Sequence, residues 1–136
     1  MDLTIKRLVE TDYDDILVGW WHDWKWTPPQ KDFLPDNGTG GFIVYDGEIP
    51  VCAGFIYVTN SKAVWVDWII SNKNYTDREG RRLALRLLIQ SLTNISISSG
   101  SKYIYALIKN QHLIKVYEEI GYIKGDSYTS EMIKII

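Results

Sequence analysis

The segment from residue 63 to residue 108 constrains the fold more than any other part of the chain. "AVWVDWII" (63–70) is rich in β-branched and aromatic residues, which is typical of a strand. "TDREGRRLALRLLIQSLTNIS" (76–96) carries leucines at helical spacing, and "SKYIYALI" (101–108) again has strand character. A strand, a crossover helix and a second strand form a right-handed unit, so the sequence predicts that these two strands are parallel neighbours.

The segments before this unit predict antiparallel strands and a first helix. "LTIKRL" (3–8) alternates like a strand, and "TDYDDILVGWWHDW" (11–24) predicts a helix that begins with a capping box of Thr11 and Asp14. "GFIVYDGEIPVCAGFIYV" (41–58) predicts a hairpin that turns at Asp46 and Gly47. A second turn at 59–62 then leads to the strand at 63–70, which gives three consecutive antiparallel strands.

The remaining signals complete a single fold class. Thr76 and Glu79 form a second capping box at the start of the crossover helix. "YIKG" (122–125) and "YTSEMIKII" (128–136) predict a final strand pair. The sequence therefore predicts an α/β (α+β) fold with a mixed, mostly antiparallel central sheet, one parallel β-α-β unit and flanking helices.

Composition indicates one globular domain that spans residues 1–136. The chain is 46% hydrophobic and 24% charged, which is enough apolar surface to bury one core. No signal-peptide pattern or membrane-spanning apolar run is visible, so we expect a soluble, cytoplasmic protein with no membrane partner. The single cysteine, Cys52, excludes an internal disulfide and a multi-cysteine metal site, and it is interpreted as a strand hydrophobe rather than a nucleophile.

Charge is unevenly distributed along the chain. Residues 1–72 hold eleven Asp/Glu and five Lys/Arg, whereas residues 73–136 hold six and ten. The second half is therefore suited to an anionic ligand and the first half to a cationic one, although uneven surface charge is also common without a ligand. The pI of about 5.6 and the lack of a recognised motif argue against nucleic acid as a partner.

"NQHLIKVYEEIGY" (110–122) predicts an amphipathic helix with an unusual composition. Leu113, Val116, Tyr117 and Ile120 recur at the spacing of one buried face. The glycine that follows supplies a left-handed residue just past the helix, which allows the next tyrosine to fold back on the last turn. Helix geometry explains neither the asparagine at the entrance nor the tyrosine in the apolar stripe.

This motif and the order of elements resemble the GCN5-related N-acetyltransferase (GNAT) superfamily. In that superfamily Asn, then Tyr seven residues later, then Gly-Phe/Tyr close the acetyl-coenzyme A (acetyl-CoA) site. The segments "WWHDWKWTPPQKDFLP" and "WVDWIISN" further resemble small single-domain members found in phage and bacterial genomes. The resemblance implies the acyl-CoA N-acyltransferase fold, acetyl-CoA as co-substrate, and a small-molecule or peptide amine as acceptor. Dimers are common in the superfamily, so a homodimer is an open option.

The resemblance also implies roles for individual residues. Tyr117 would be the general acid that protonates the departing thiolate, for which a phenol of ordinary pKa near 10 is suited. A core tyrosine with a satisfied hydroxyl is the other interpretation. The backbone around the end of the first strand of the β-α-β unit would face the acetyl carbonyl as fixed dipoles. The implied cofactor contacts are Ile69, Ile70, Ser71, Arg78, Gly80, Arg81, Arg82, Ala84, Asn110, Leu113 and Tyr117.

The phosphate loop departs from the superfamily pattern. The usual loop reads Arg/Gln-x-x-Gly-x-Gly/Ala, and its backbone N–H groups hold the pyrophosphate at a helix start. "EGRRLA" (79–84) places Glu79 where Arg or Gln is usual and Arg82 where the middle Gly is usual, whereas Ala84 matches. Glu79 would repel phosphate unless it turns back to cap Thr76, and the neighbouring arginines could compensate by charge.

The general base and the acceptor pocket are assigned from residue chemistry. Asp67 lies in an otherwise apolar strand, so it is either the base, with a raised pKa, or a buried structural acid. Trp65 and Trp68 are expected on opposite sheet faces. Trp21 and Trp26 lie off the core pattern and, with Asp23, could wall a pocket for a primary ammonium through cation–π contacts, or could pack a short loop.

Three functions follow from these observations. The first is an N-acetyltransferase, an enzyme that moves an acetyl group from acetyl-CoA to a primary amine by direct attack in a ternary complex. The second is a catalytically silent acyl-CoA-binding domain, which the unusual loop favours. The third is an interaction module whose aromatic loop binds a sugar or peptide, with no coenzyme site.

Overall fold

The computed structural model describes residues 1–127 and 130–136 and contains a five-stranded mixed sheet. Neighbouring strands follow the order of the chain: the first four are antiparallel, and the last pair is parallel. The predicted mixed sheet with one parallel β-α-β unit is therefore confirmed. The strands are β1 (Leu3–Arg7), β2 (Gly41–Asp46), β3 (Ile49–Val58), β4 (Ala63–Ser71) and β5 (Tyr103–Tyr105).

Helices cover both faces of the sheet. A π-helical turn (Tyr13–Leu17) continues into α1 (Val18–Asp23), and α2 (Arg78–Ser98) is followed by α3 (Gln111–Ile120). Two short 3-10 turns lie between α1 and β2, at Lys31–Phe33 and Pro35–Gly38. One apolar core packs the sheet against α2 and α3, and the other packs it against α1, so the two sheet sides are called the α2 face and the α1 face.

Neither predicted capping box forms: no side chain caps the first helical turn, and at α2 the cap is one residue later than predicted. Asp12, rather than Thr11, precedes the first helical turn, and its carboxylate accepts a hydrogen bond from the Val9 N–H at 2.8 Å. Asp77 caps α2, because its extended backbone brings Oδ1 to 3.0 Å from the Gly80 N–H. The neighbouring threonine therefore does not cap the helix, and Glu79 is free to form an ion pair elsewhere.

The end of α3 follows the sequence prediction. Gly121 has φ +110° and ends the helix in the left-handed conformation. The Tyr122 ring packs edge-on against Tyr117 with ring centroids 4.9 Å apart. Glycine at this position therefore turns the chain so that the next residue covers the last helical turn.

The predicted final strand pair is not formed by the described residues of its segments. Residues 122–127 and 130–136 contain no strand, and residues 128 and 129 of the second predicted strand lie outside the described part of the chain. The apolar side chains of Ile123, Met132 and Ile135 are exposed. Among the described residues, no helix has both the length and the apolar composition needed to cross a membrane.

Candidate active site

The parallel strands β4 and β5 separate halfway along β4. Register pairs join Ala63, Val64 and Trp65 to the three residues of β5, whereas β4 continues to Ser71. Beyond the last pair, the carboxylate of Asp67 bridges the gap and accepts a hydrogen bond from the Leu107 N–H at 2.9 Å. A side chain thus replaces the backbone hydrogen bonds where the strands separate. The region between residues 66–71 of β4 and the chain that follows β5 is called the splay.

A β-bulge shapes β4 at the same level. The register against β3 shifts between Ala53 and Phe55, and Trp68 on β4 has φ +55°, a conformation that is rare for a bulky residue. Glycine suits position 54 opposite the bulge, because a Cβ there would lie 2.4 Å from the Cδ1 atom of Ile69 and that side chain would have to move. Backbone strain of this kind is typical of functional sites, so the bulge marks the splay as the candidate site.

The bulge also decides where the predicted contacts in β4 point. Ile69 packs on the α2 face over Gly54, whereas Ile70 is buried in the core of the α1 face. The Ser71 carbonyl accepts a hydrogen bond from the Trp24 indole N–H at 2.8 Å. The end of β4 is therefore fixed on both faces.

Asp67 is held by two backbone N–H groups. Its Oδ2 atom accepts the hydrogen bond from the Leu107 N–H, and its Oδ1 atom accepts one from the N–H of Trp68 at 2.8 Å. Burial raises the pKa of the Asp67 carboxyl, and the two hydrogen bonds partly oppose that rise. The carboxylate therefore has both properties considered from the sequence: structural hydrogen bonds and a raised pKa.

The Tyr117 hydroxyl lies at the splay as well. It donates to the carbonyl of Val66, the residue before Asp67, at 2.7 Å. Tyr117 is only 2% exposed, and burial raises the pKa of its hydroxyl well above 10, with smaller contributions from Asp67 and Tyr122. The structure thus brings the two predicted catalytic residues together and keeps the phenol protonated at neutral pH.

The residues at the start of α3 have structural roles. Asn110 is the N-cap of α3, and its Oδ1 atom accepts a hydrogen bond from the Leu113 N–H at 3.0 Å. Asn110 is exposed, and Leu113 is half-buried against the α2-face core. The asparagine at the helix entrance is thus explained by capping, whether or not it also contacts a ligand.

The start of α2 carries less free positive charge than its sequence indicates. The guanidinium of Arg81 donates to the Asn72 carbonyl at 2.9 Å and to the Tyr75 carbonyl, so it holds the β4–α2 loop together. Arg82 forms exposed ion pairs with Glu79 at 3.1 Å and Glu119 at 3.0 Å.

Three further residues predicted to contact the cofactor lie in the first turns of α2. Arg78 is exposed and Ala84 is fully buried. Gly80 lies beneath the Tyr75 hydroxyl, which a Cβ on Gly80 would approach to 2.3 Å. The Gly80 N–H already donates to the Asp77 carboxylate. This backbone amide at the helix start, where a phosphate would bind, therefore has an acidic partner.

The structure corrects part of the predicted pocket for the acceptor amine. Trp21 is 2% exposed and belongs to the α1-face core, because the π-helical turn rotates it inward relative to a regular helix; it cannot line an open pocket. Trp26 is exposed and stacks on Trp24 with centroids 5.9 Å apart. Asp23 is exposed at the end of α1. Only Trp21 is thus removed from the predicted pocket wall, whereas the stacked Trp24–Trp26 pair meets the end of β4 through the Ser71 carbonyl.

A different group of aromatic residues lies beside Asp67. Tyr57 is directly opposite Trp65 in the sheet, and Trp65 stacks on Tyr105 with centroids 5.0 Å apart. Phe33 packs edge-on against both Tyr57 and Trp68. Trp68 packs with the α1-face core, so the prediction that Trp65 and Trp68 point to opposite faces is wrong, because the bulge reverses the alternation. Alternation within β3 and β4 was the only sequence signal for this group.

Comparison with known proteins supports the fold. No protein-family model matches the sequence, and no curated protein matches it. The ribosomal-protein-S18-alanine N-acetyltransferase from Escherichia coli superposes with a TM-score of 0.67 at 18% identity, over 91% of this chain and 79% of that one. Glucosamine-6-phosphate N-acetyltransferase from Arabidopsis thaliana gives 0.68 at 10% identity, over 98% and 100%.

A further structure shows a ligand in this fold. AAC(6')-Iy, solved with a CoA-S-monomethyl-acetylneamine bisubstrate analogue, superposes with a TM-score of 0.65 at 14% identity, over 99% and 100% of the two chains. The sheet order, the parallel β4–β5 pair and the flanking helices agree with these acetyltransferases. This chain therefore has the acyl-CoA N-acyltransferase fold of the GNAT acetyltransferases.

Proposed function

We propose that this protein is an N-acetyltransferase that moves the acetyl group of acetyl-CoA to a primary amine by direct attack in a ternary complex. One observation carries the proposal: at the splay, the Asp67 carboxyl of β4 has a raised pKa, and the buried phenol of Tyr117 on α3 bonds to the backbone of the residue just before it. Asp67 bridges β4 and β5, and Tyr117 donates to the carbonyl of Val66. A base and an acid placed at one gap in a sheet are the pair that acyl transfer to an amine requires.

Each of the two residues has a defined task. Asp67 accepts a proton from the acceptor ammonium, directly or through water, so that the neutral amine attacks the acyl carbon. The new C–N bond replaces the C–S bond, Tyr117 donates its proton to the departing thiolate, and the tyrosinate regains a proton when the new amide nitrogen loses its second one. The raised pKa of Tyr117 keeps the phenol protonated before the step, and the same shift makes it a weaker acid than an exposed tyrosine, so the transfer depends on its position at the thiolate. The strand backbone at Ile69 and Ile70 supplies fixed dipoles toward the acyl oxygen.

Acetyl-CoA would lie along the splay, with its pantetheine arm beside Ser71, Asn110 and Leu113. The gap left where β5 ends and β4 continues fits an extended chain. The pyrophosphate would meet the start of α2, where Arg78 is exposed and Arg82 carries two acidic partners. The site therefore suits the pantetheine arm of acetyl-CoA better than its pyrophosphate.

A second candidate function is a non-catalytic acyl-CoA-binding domain. The specific observation in its favour is that the Asp77 carboxylate already occupies the Gly80 N–H at the start of α2. Such a domain would bind acyl-CoA weakly and would not transfer the acetyl group to any amine.

Calorimetric titration of the whole chain with acetyl-CoA tests the proposal first, followed by acetyl transfer to a panel of primary amines. We expect micromolar binding, and turnover that falls by about 100-fold or more in Tyr117→Phe and Asp67→Asn. Tyr13→Phe is the matched control, because it removes a hydroxyl that donates to a backbone carbonyl, that of Pro29 at 2.6 Å, on the opposite face. Binding without turnover would support the second candidate, and no binding would refute both.

A further inference from the structure

An aromatic cluster lies next to the proposed base on the α1 face, and two of its members, Trp65 and Trp68, stand on either side of Asp67 along β4. Phe33 lies with its ring centroid 6.3 Å from Tyr57 and 5.2 Å from Trp68, at steep angles to both. Phe33 is 42% exposed, so one edge of the cluster is open to solvent. The aromatic cluster consists of Phe33, Tyr57, Trp65, Trp68 and Tyr105.

The Tyr57 hydroxyl in this cluster lacks a partner. Within the described part of the chain its oxygen is buried and makes no hydrogen bond. Burial, and then the nearby charge of Asp67, raise the pKa of this hydroxyl. Buried hydroxyls without a partner are rare in folded proteins, so this one is available to a ligand or an ordered water.

A groove leads to Tyr57 from solvent. It has a volume of about 360 Å³ and runs between residues 32–36 and the end of β3 at Ile56, Tyr57 and Val58. Phe33 and Tyr57 are both part of its wall, whereas Asp67 is not, so the groove reaches the aromatic cluster at its Phe33–Tyr57 side. Its size is within the range of small-molecule sites.

We propose that the acceptor is a monoamine with a flat aromatic body, bound with its ammonium group between the Asp67 carboxylate and the Tyr57 hydroxyl. The ring of the acceptor packs against Phe33 and Trp68. Aromatic side chains bind both parts of such a ligand, by ring stacking and by cation–π attraction. This inference rests on the proposed function for the fate of the amine, but the binding itself does not require acetyl transfer.

A polycationic acceptor fits the cluster less well. Asp67 is the carboxylate whose charge acts on the Tyr57 hydroxyl, and its single negative charge matches one ammonium group. Asp32 and Asp36 line the outer groove, but both are exposed, so water and salt screen their attraction for a second charge. A second ammonium group would also lose hydration against aromatic rings without gaining a buried partner.

Equilibrium binding measured by NMR titration of the whole chain tests the inference without turnover. The probes are 2-phenylethylamine, 1,5-diaminopentane, and 2-phenylethanol, which keeps the ring but lacks the charge. We expect 2-phenylethylamine to bind at least tenfold more tightly than either of the other two. Equal or tighter binding of the diamine would overturn the inference.

Three variants locate the site. Phe33→Leu keeps an apolar side chain on an exposed position and is expected to lower the affinity for 2-phenylethylamine about fivefold. Tyr57→Phe removes only the unpartnered hydroxyl and is expected to lower the affinity for 2-phenylethylamine by a similar factor. Tyr103→Leu is the matched control, because Tyr103 is an exposed aromatic residue of β5 outside the cluster. A Phe33→Leu protein that binds like the wild type would refute the assigned site.

Turnover separates this inference from the proposed function. Tight 2-phenylethylamine binding without its acetylation would refute the acetyltransferase and leave the amine site established. Acetylation of polyamines or amino sugars, with no preference for aromatic monoamines, would establish the acetyltransferase and refute the acceptor class.

Discussion

Replacing Tyr117 with phenylalanine tests the hydrogen bond that places a phenol at the splay. The change keeps the ring and removes one hydroxyl, which donates to the Val66 carbonyl at 2.7 Å in a site where Tyr117 is 2% exposed. Water cannot easily replace the lost donor, so the carbonyl loses a partner in the core. We expect a loss of about 1 to 3 kcal/mol in the free energy of unfolding.

Urea denaturation and thermal melting of the two proteins at pH 7 measure this loss. For a chain of this length, each kcal/mol lowers the melting midpoint by roughly 3 to 5 °C. The matched variant Tyr13→Phe loses a bond to the Pro29 carbonyl at 2.6 Å, but that bond is only part-buried. We expect a smaller loss there, of about 0.5 to 1.5 kcal/mol, because water can reach the freed carbonyl.

Alkaline pH supplies an independent readout of the same hydroxyl. The pKa of Tyr117 is raised in the folded state, so above pH about 10 the unfolded chain releases this proton while the folded chain retains it. Stability therefore falls as pH rises, by up to about 1.4 kcal/mol per pH unit for this group. The fall is expected to be less steep in Tyr117→Phe. Equal stability of wild type and variant, with equal alkaline slopes, would refute a buried donor at this position.

Three further predictions concern the bulge, the base and the helix start. Gly54→Ala is expected to cost about 1 to 3 kcal/mol, because its Cβ would lie 2.4 Å from Ile69 Cδ1; denaturation should show recovery when Ile69→Val is added, and no recovery would contradict the contact. The raised pKa of Asp67 means that its charging destabilises the fold, so stability falls as pH rises from about 4 through that pKa. Urea midpoints of Asp67→Asn across pH 4 to 8 should lack this fall, and a fall of unchanged size would assign it to other groups. Asp77→Ala is expected to lose about 1 kcal/mol of helix capping, whereas Asp77→Asn keeps the cap at Gly80 and should bind acetyl-CoA more tightly by calorimetry. Weaker binding by the Asn variant would exclude a pyrophosphate at this helix start.

Strand order and the β-α-β unit were predictable because they depend on local patterns. Alternation, helical spacing and turn residues act over a few neighbours, and they hold in most environments. The predicted hairpin forms, but its two turn residues are Gly47, at φ +61°, and Glu48, because Asp46 still pairs with Ile49 at the end of β2. Gly121 likewise ends α3 in the left-handed conformation.

Cap positions were less predictable because adjacent polar residues compete. Thr11 stands beside Asp12 and Thr76 beside Asp77, and either residue of each pair has a side chain able to cap. At α2 the capping residue is Asp77, whose backbone is extended where the chain enters the helix, whereas Asp12 already has helical dihedral angles and its side chain makes no cap hydrogen bond. Packing of the preceding loop decides this, as Arg81 shows by binding the carbonyls before α2.

By itself the sequence determined the order of elements, the mixed sheet and the residues capable of acid–base chemistry. Only the tertiary structure decided which of them meet, since Asp67 and Leu107 are 40 residues apart and Tyr117 and Val66 are 51 apart. The bulge at Trp68 likewise decided which aromatic side chains face the carboxylate. The physical reason is that side-chain alternation is fixed along one strand, whereas register, bulges and separation between strands depend on how the whole sheet packs.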